Sequence, residues 1–362
     1  MKNIINLFNL QLFADAGTVV MTTTGAVNAY TGAQNDGASG AMNSTMKEFY
    51  DTELLENARV EMFYAQFGKK QPLPKGRGKT VEWRKWNTFK KAKALEEGVI
   101  PTGQTFGMTH MNDSINQYGT FATISDQLEL HAYDDVILGA TEEMGASAAE
   151  TSEWLIRQKL LTNPTVFYCD NIDLATGKPT GATPTAAIQM EASSTVMCLL
   201  TPDSVAKVAT TMKKNRVPTI NGKYYAVIHP SVAYDLRKSD AWIEAHKYAA
   251  TTEIFNGEIG ELHGVRFIED TFAPVLDGDY VNKEGSKSYA TFFFGKDSFG
   301  IIDPEGGAME MIVKDKSQVG GPLNQFSTIG YKMSTNGAKI LYPERVIRVM
   351  SCSSFSATDL VN

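Results

Sequence analysis

Large apolar side chains recur every four residues from Met46 through Tyr50 and Leu54 to Met62, with Ala58 in the series and Phe49, Leu55 and Phe63 alongside. That is the period of an amphipathic helix. Thr45-Met46-Lys47-Glu48 is a capping box, its hydroxyl and carboxylate placed to satisfy the free amides of a first turn, and Gly68 supplies a left-handed stop. A helix is therefore predicted over 45–68. The pattern then changes. Lys79-Thr80-Val81-Glu82-Trp83-Arg84-Lys85-Trp86 mixes β-branched and aromatic residues as a strand does, and Gly119 to Ile124 reads as the returning strand. The span between them is a long projecting hairpin, and connections beyond about 12–15 residues are uncommon in compact domains unless they serve a function.

From Ser125 to Asn163 there is no proline; Ser125-Asp126 opens the stretch as a capping pair and Asn163-Pro164 closes it. Val136, Ile137, Ala140, Met144, Ala148, Leu155 and Ile156 form a partial apolar stripe, which Gly139 and Gly145 each weaken by about 1 kcal/mol, so a bend is expected between them. One long helix or two in tandem fit. A continuous helix of about 30 residues would span ~45 Å, the length of a spine. Downstream, Thr201-Pro202-Asp203 opens a helix with Val205, Val208 and Met212 on its buried face, and Pro218 stops it after Lys213, Lys214 and Arg216. Asn221-Gly222 turns into a strand at Tyr224–Ile228, and His229-Pro230 leads into another helix. Further strands are predicted at Val265–Ile268, Ala290–Phe294, Met309–Lys314 and Arg345–Val349. Strands and helices interleave without a regular βαβ repeat, which predicts an α+β fold with largely antiparallel sheet.

Composition narrows the function. The 362 residues are 43% hydrophobic and 21% charged, enough for a sizeable core, and the formal charge is −7. No apolar run approaches the ~20 residues that cross a bilayer, so a soluble protein is expected. Cys169, Cys198 and Cys352 are widely spaced and form no CxxC, which points to a reducing compartment and to thiols used as small core residues. Lys2 followed by Ile4, Ile5, Leu7, Phe8, Leu10, Leu12 and Phe13 imitates a secretion signal, but Asn6, Asn9 and Gln11 interrupt it. An arm that docks on a partner is expected instead. From Ala14 to Met46 the chain has no Lys or Arg and few large apolar groups, the composition of an extended arm.

Motifs for catalysis fail one by one. Gly76-Arg77-Gly78-Lys79-Thr80 resembles the end of a phosphate-binding loop, but Leu73 stands where the first glycine belongs and a strand follows in place of a helix. The five histidines (His110, His131, His229, His246 and His263) show no HExxH and no ligand spacing with the cysteines. No GxSxG elbow is present, and Asp134-Asp135 reads as a helix cap. No catalytic residue, cofactor or metal is expected.

One segment stands above background. Lys69 to Lys93 holds ten basic side chains against a single acid, Glu82, so it carries about +9 and the remainder about −16. A solvated lysine-rich loop would explain it. So would nucleic-acid binding through the bases interleaved with Trp83, Trp86 and Phe89, although the acidic remainder would repel phosphates. The third reading lays the hairpin on an acidic neighbour of the same kind, head to tail, which closes into rings. For that interface Arg77, Lys79, Arg84, Lys85, Lys90 and Lys91 supply charge, with Trp83 and Trp86 as anchors.

Between Tyr50 and Met350 the chain resembles the major capsid proteins of tailed bacteriophages, in the branch typified by the N4-like phage coat protein. The similarity rests on Gly78-Lys79-Thr80-Val81-Glu82-Trp83, on Tyr118-Gly119 leading to Ile124-Ser125-Asp126, and on His229-Pro230-Ser231-Val232-Ala233-Tyr234-Asp235-Leu236. It continues through Gly257-Glu258-Ile259-Gly260-Glu261-Leu262-His263-Gly264-Val265-Arg266-Phe267 and Pro322-Leu323-Asn324-Gln325. The resemblance implies an HK97-like capsid fold: an N-terminal arm over 1–44, the helix 45–68, an extended loop over 69–124, a peripheral domain with its spine helix over 125–200, an axial domain over 201–340, and a return strand and tail over 341–362. It implies hexamers and pentamers of this chain forming an icosahedral shell around double-stranded phage DNA, assembled in the bacterial cytoplasm with portal, scaffolding and decoration proteins. A shell-forming cellular compartment protein, encapsulin-like, has the same fold and is the alternative. Some relatives crosslink a lysine to a neighbour's asparagine; no pair stands out here and none is expected.

Overall fold

The computed structural model describes residues 19–22, 25–28, 63–87, 89–92, 94, 98, 100, 103–132, 136–181, 183–239, 242, 258–277, 287–305, 309–319, 323–355, 359 and 361. The start of the arm, the helix predicted from Thr45 up to residue 62, Asp134-Asp135 and His246 lie outside them.

In chain order the elements are β1 (Val19–Thr22), β2 (Gly25–Asn28), a 3-10 turn (Tyr64–Phe67), β3 (Lys69–Leu73), β4 (Thr80–Trp86), β5 (Met108–Ser114) and β6 (Asn116–Ser125). Helices α1 (Asp126–His131) and α2 (Val136–Leu161) follow, then β7 (Val166–Tyr168), β8 (Asn171–Asp173), β9 (Lys178–Pro179) and β10 (Val196–Cys198). Next come α3 (Pro202–Lys214), β11 (Tyr224–Ile228), α4 (Pro230–Lys238), β12 (Glu258–Leu262), β13 (Val265–Glu269), β14 (Val275–Asp277), β15 (Lys287–Phe294) and β16 (Phe299–Pro304). The chain ends with β17 (Met309–Lys314), a short α5 (Lys316–Val319), β18 (Phe326–Thr335), β19 (Lys339–Ile340) and β20 (Val346–Ser351).

These elements divide into two compact units: Met1–Val60, Asn116–Thr151 and Gly306–Ser334 in the first, and Glu61–Ile115, Ser152–Glu305 and Thr335–Asn362 in the second. In the first, a sheet ordered β17-β18-β6-β1-β2 packs Ile124 and Ile329 against Leu128 of α1 and Val136 of α2. Ser125 caps α1 as expected, its hydroxyl accepting from the Leu128 amide at 3.3 Å. The predicted spine is two helices in tandem, and the longer, α2, runs 26 residues unbroken through Gly139 and Gly145, about 39 Å at 1.5 Å per residue.

In the second unit the main sheet runs β12-β13-β11-β15-β20-β7, with β14 also paired to β15. β15 and β20 lie at its centre and are buried on both faces, so they read as nearly continuous apolar runs. Phe292, Phe293, Phe294, Phe299 and Phe267 pack there with Val205, Val208 and Met212 of α3. The helix starts follow the chemistry of their caps: Thr201 Oγ1 accepts from the Ser204 amide at 3.3 Å, with Pro202 in the first turn, and His229 Nδ1 accepts from the Ser231 amide at 3.2 Å ahead of Pro230. Asn221 and Gly222, with φ of 50° and 82°, form the predicted turn into β11. Most strand pairs are antiparallel, but β1 with β6, β11 with β13, β20 with β7 and β16 with β3 are parallel.

One strand pairing departs from the sequence reading. Gly119–Ile124 is a strand, within β6, but it joins the sheet of β18 and β1 and does not return along β4. The return strand is β5, antiparallel from Thr80↔Ser114 to Trp86↔Met108. Its sequence, Met108-Thr-His-Met-Asn-Asp-Ser114, alternates weakly and carries Asn and Asp, which are poor strand formers; pairing with β4 overrides that preference.

Candidate intersubunit interface

The β4–β5 hairpin has a root fixed in its own unit and an open tip. At the root, Trp83 is only 7% exposed and packs with Ile302 and Leu341, joined by Leu73, Val81 and Met111. Gly300 lies under the indole, where a Cβ would come within 2.8 Å of the ring. Trp83 therefore spends its surface inside its own chain, whereas Trp86 is 58% exposed. Asn336 braces the same region, its side-chain amide donating to Asp113 at 2.9 Å while its carbonyl oxygen accepts from the Ile302 amide at 2.9 Å.

Along the strands the cations are partly matched within the chain. Glu82 accepts from Arg84 Nε at 2.9 Å and pairs with His110, and these hydrogen bonds, His110 foremost, hold its carboxyl below the usual range. Lys85 Nζ lies 3.5 Å from Glu344 and 4.3 Å above the Tyr342 ring, which also carries the Arg345 guanidinium at 3.6 Å. Arg77, Lys79, Lys90 and Lys91 are exposed. Gly76 and Gly78, both with φ above 80°, shape the turn before β4, and a strand follows it.

Beyond Trp86 the ladder continues: the Asn87 amide donates to the Gly107 carbonyl at 3.0 Å, and Gln104 bonds both backbone groups of Lys90. This brings three rings into a stack, Trp86 on Phe106 at 4.2 Å and Phe106 on Phe89 at 5.2 Å, each pair tilted by 16°. They remain 58%, 56% and 57% exposed in that order. Sequence reasoning missed Phe106, because only the true register of the hairpin places it between the other two.

The second unit also holds a buried polar cluster that the sequence did not suggest. Glu153 of α2 accepts from the amides of Tyr64 and Ala65 at 3.1 and 3.2 Å, closing the start of the 3-10 turn. Arg157, one turn on, approaches Asp270 at 4.0 Å and donates to the Phe272 carbonyl. Burial raises the carboxyls of both Glu153 and Asp270 above their usual range, and burial together with the charge of Asp270 raises the Tyr64 hydroxyl. The three cysteines are buried and form no disulfide, with Cys198 Sγ donating to the Cys169 carbonyl at 3.1 Å; desolvation pushes the Cys169 and Cys198 thiols well up. Among the described residues no three metal-binding side chains come together, and no helix is long and apolar enough to cross a membrane.

The model of a family described as phage capsid protein matches residues 114–345. The chain belongs to that family. Its members are structural proteins of the virion, and the solved structures agree on the fold. The capsid of cyanophage Pam1 is similar with a TM-score of 0.62 at 14% identity, covering 89% of this chain and 100% of that one. The capsid of cyanophage P-SCSP1u gives 0.59 at 16% identity, covering 89% and 97%. That of Helicobacter pylori bacteriophage KHP30 gives 0.62 at 8% identity, covering 88% and 99%. No curated protein matches in sequence. This member of the phage capsid family has the HK97-like α+β fold and is a major capsid protein, a structural component of an icosahedral shell.

Proposed function

We propose that the chain closes its shell as hexamers and pentamers by laying the β4–β5 hairpin on an adjacent copy, and that it has no enzymatic role. The observation that carries this is the stack of Trp86, Phe106 and Phe89, three rings more than half exposed, two of them, Trp86 and Phe89, within the segment Lys69–Lys93 that carries +9. A monomer rarely presents aromatic surface of this size unless something covers it. The acidic remainder of the chain supplies the complementary charge. In this reading the contact surface is Arg77, Lys79, Arg84, Lys85, Trp86, Lys90 and Lys91, while Trp83 holds the hairpin's root. The peripheral and axial domains, the N4-like branch, assembly in the host cytoplasm with portal, scaffolding and decoration proteins, and enclosure of double-stranded DNA without sequence-specific binding complete the proposal.

The test is a triple charge reversal, Lys79→Glu, Lys90→Glu and Lys91→Glu, in exposed side chains whose loss leaves the subunit folded. Electron microscopy of the purified protein is expected to show dispersed subunits where the parent forms shells. Shells of normal size and yield would overturn the role of the hairpin. Tight binding of the unassembled parent to single-stranded DNA at ~50 mM salt, with a steep salt slope, would favour a nucleic-acid role for it instead.

A further inference from the structure

In the first unit, a groove of about 510 Å³ lies across β6, β17 and β18, within the size range of a binding pocket. Residues opposed in register share a face of the sheet, so Gly330, opposite Ile312, and Thr328, opposite Lys314, lie on the face away from Ile329, which packs on α1 and α2. Its floor carries no side chain where β6 and β18 approach: a Cβ on Gly119 would stand 2.5 Å from the Tyr331 carbonyl, and one on Gly330 2.7 Å from that of Thr120. Apolar walls come from Ile312, Val319 and Phe121, the last 63% exposed, and Lys314 and Lys332 also line the groove, Lys332 paired with Glu310 at 3.1 Å.

β1, which pairs with β6, follows an apolar segment in the sequence. β1 runs parallel to β6 with Val20 opposite Thr123 and Met21 opposite Ile124, so its first residue, Val19, lies at the end of β1 nearer Phe121 and the groove residues Gln117–Thr120. That preceding segment places seven large apolar side chains within ten residues, Ile4, Ile5, Leu7, Phe8, Leu10, Leu12 and Phe13, and from Asn3 to Met46 there is no Lys or Arg. A segment without cations suits a groove lined by Lys314, whereas a neighbour's basic hairpin would be repelled by that charge. We propose that residues 4–13 seat in the β6–β17–β18 groove of their own chain, Phe8 and Phe13 filling it. The proposal stands apart from the role of the hairpin.

Chymotrypsin cleavage of the full-length unassembled subunit after Phe8, Leu10, Leu12 and Phe13, followed by intact mass, measures the seating. Phe121→Lys changes an exposed wall without touching the core and is expected to raise cleavage about tenfold, since proteolysis follows the population of the open form. Phe8→Asp with Phe13→Asp tests the same contact from the other side; cleavage at Leu10 and Leu12 and deuterium uptake over Gln117–Phe121 are both expected to rise. Unchanged cleavage in both variants overturns the proposal. So does protection that disappears on dilution, which would make a second copy the occupant.

Discussion

Truncating Trp86 separates a ring that joins subunits from one that merely decorates a loop. Trp86 is 58% exposed; at about 200 Å² per aromatic side chain, roughly 115 Å² of it awaits cover. At about 25 cal/mol per Å², covering that area is worth ~3 kcal/mol. Ordering the tip and orienting two subunits consume part of it, so Trp86→Ala is expected to weaken each contact by ~2 kcal/mol, about thirtyfold. Within the subunit the loss is the stack on Phe106, centroids 4.2 Å apart, on the order of 1 kcal/mol. The two numbers are read separately: the concentration at which shells form, by light scattering and electron microscopy, and the urea midpoint of the unassembled subunit. The expected result is a threshold raised about thirtyfold or more with a nearly unchanged midpoint. An unchanged threshold would refute the interface argument, and a collapsed midpoint would move Trp86 into the same class as Trp83.

Other expectations follow from the packing. Gly119→Ala puts a Cβ 2.5 Å from the backbone oxygen of Tyr331, which no rotamer change relieves, and should cost about 2–3 kcal/mol in a urea melt. Glu153 and Asp270 have carboxyls raised chiefly by burial, so the folded chain holds protons that the unfolded chain has released; their contribution to stability is present below the ordinary carboxylate value and lost as pH rises through the raised one. Glu153→Gln should flatten that part of a melting-temperature profile, and a profile of unchanged slope would count against the assignment. The thiols of Cys169, Cys198 and Cys352 are buried and should resist a thiol reagent in the native subunit, reacting fully in denaturant; a fast native reaction at any of them would contradict the packing.

Much of the architecture was legible in sequence because it follows from local rules. Thr201-Pro202, His229-Pro230 and Ser125 start helices since their own side chains or ring geometry satisfy or remove orphan amides, and β11 and β17 fall where β-branched and aromatic runs stand between turns. The charge imbalance of Lys69–Lys93 and its aromatic residues mark the hairpin in the sequence itself. Tertiary structure alone decided which strand answers β4. Pairing depends on partners distant in the chain, and a polar strand such as β5 has no strong preference of its own. The same register assembled Phe106 with Trp86 and Phe89 and turned Trp83 inward onto Ile302. It was tertiary packing, too, that gathered Tyr64, Glu153, Arg157 and Asp270 from three separate stretches into one buried cluster. A residue's type and neighbours set what it can form locally, but burial and contact are properties of the closed chain.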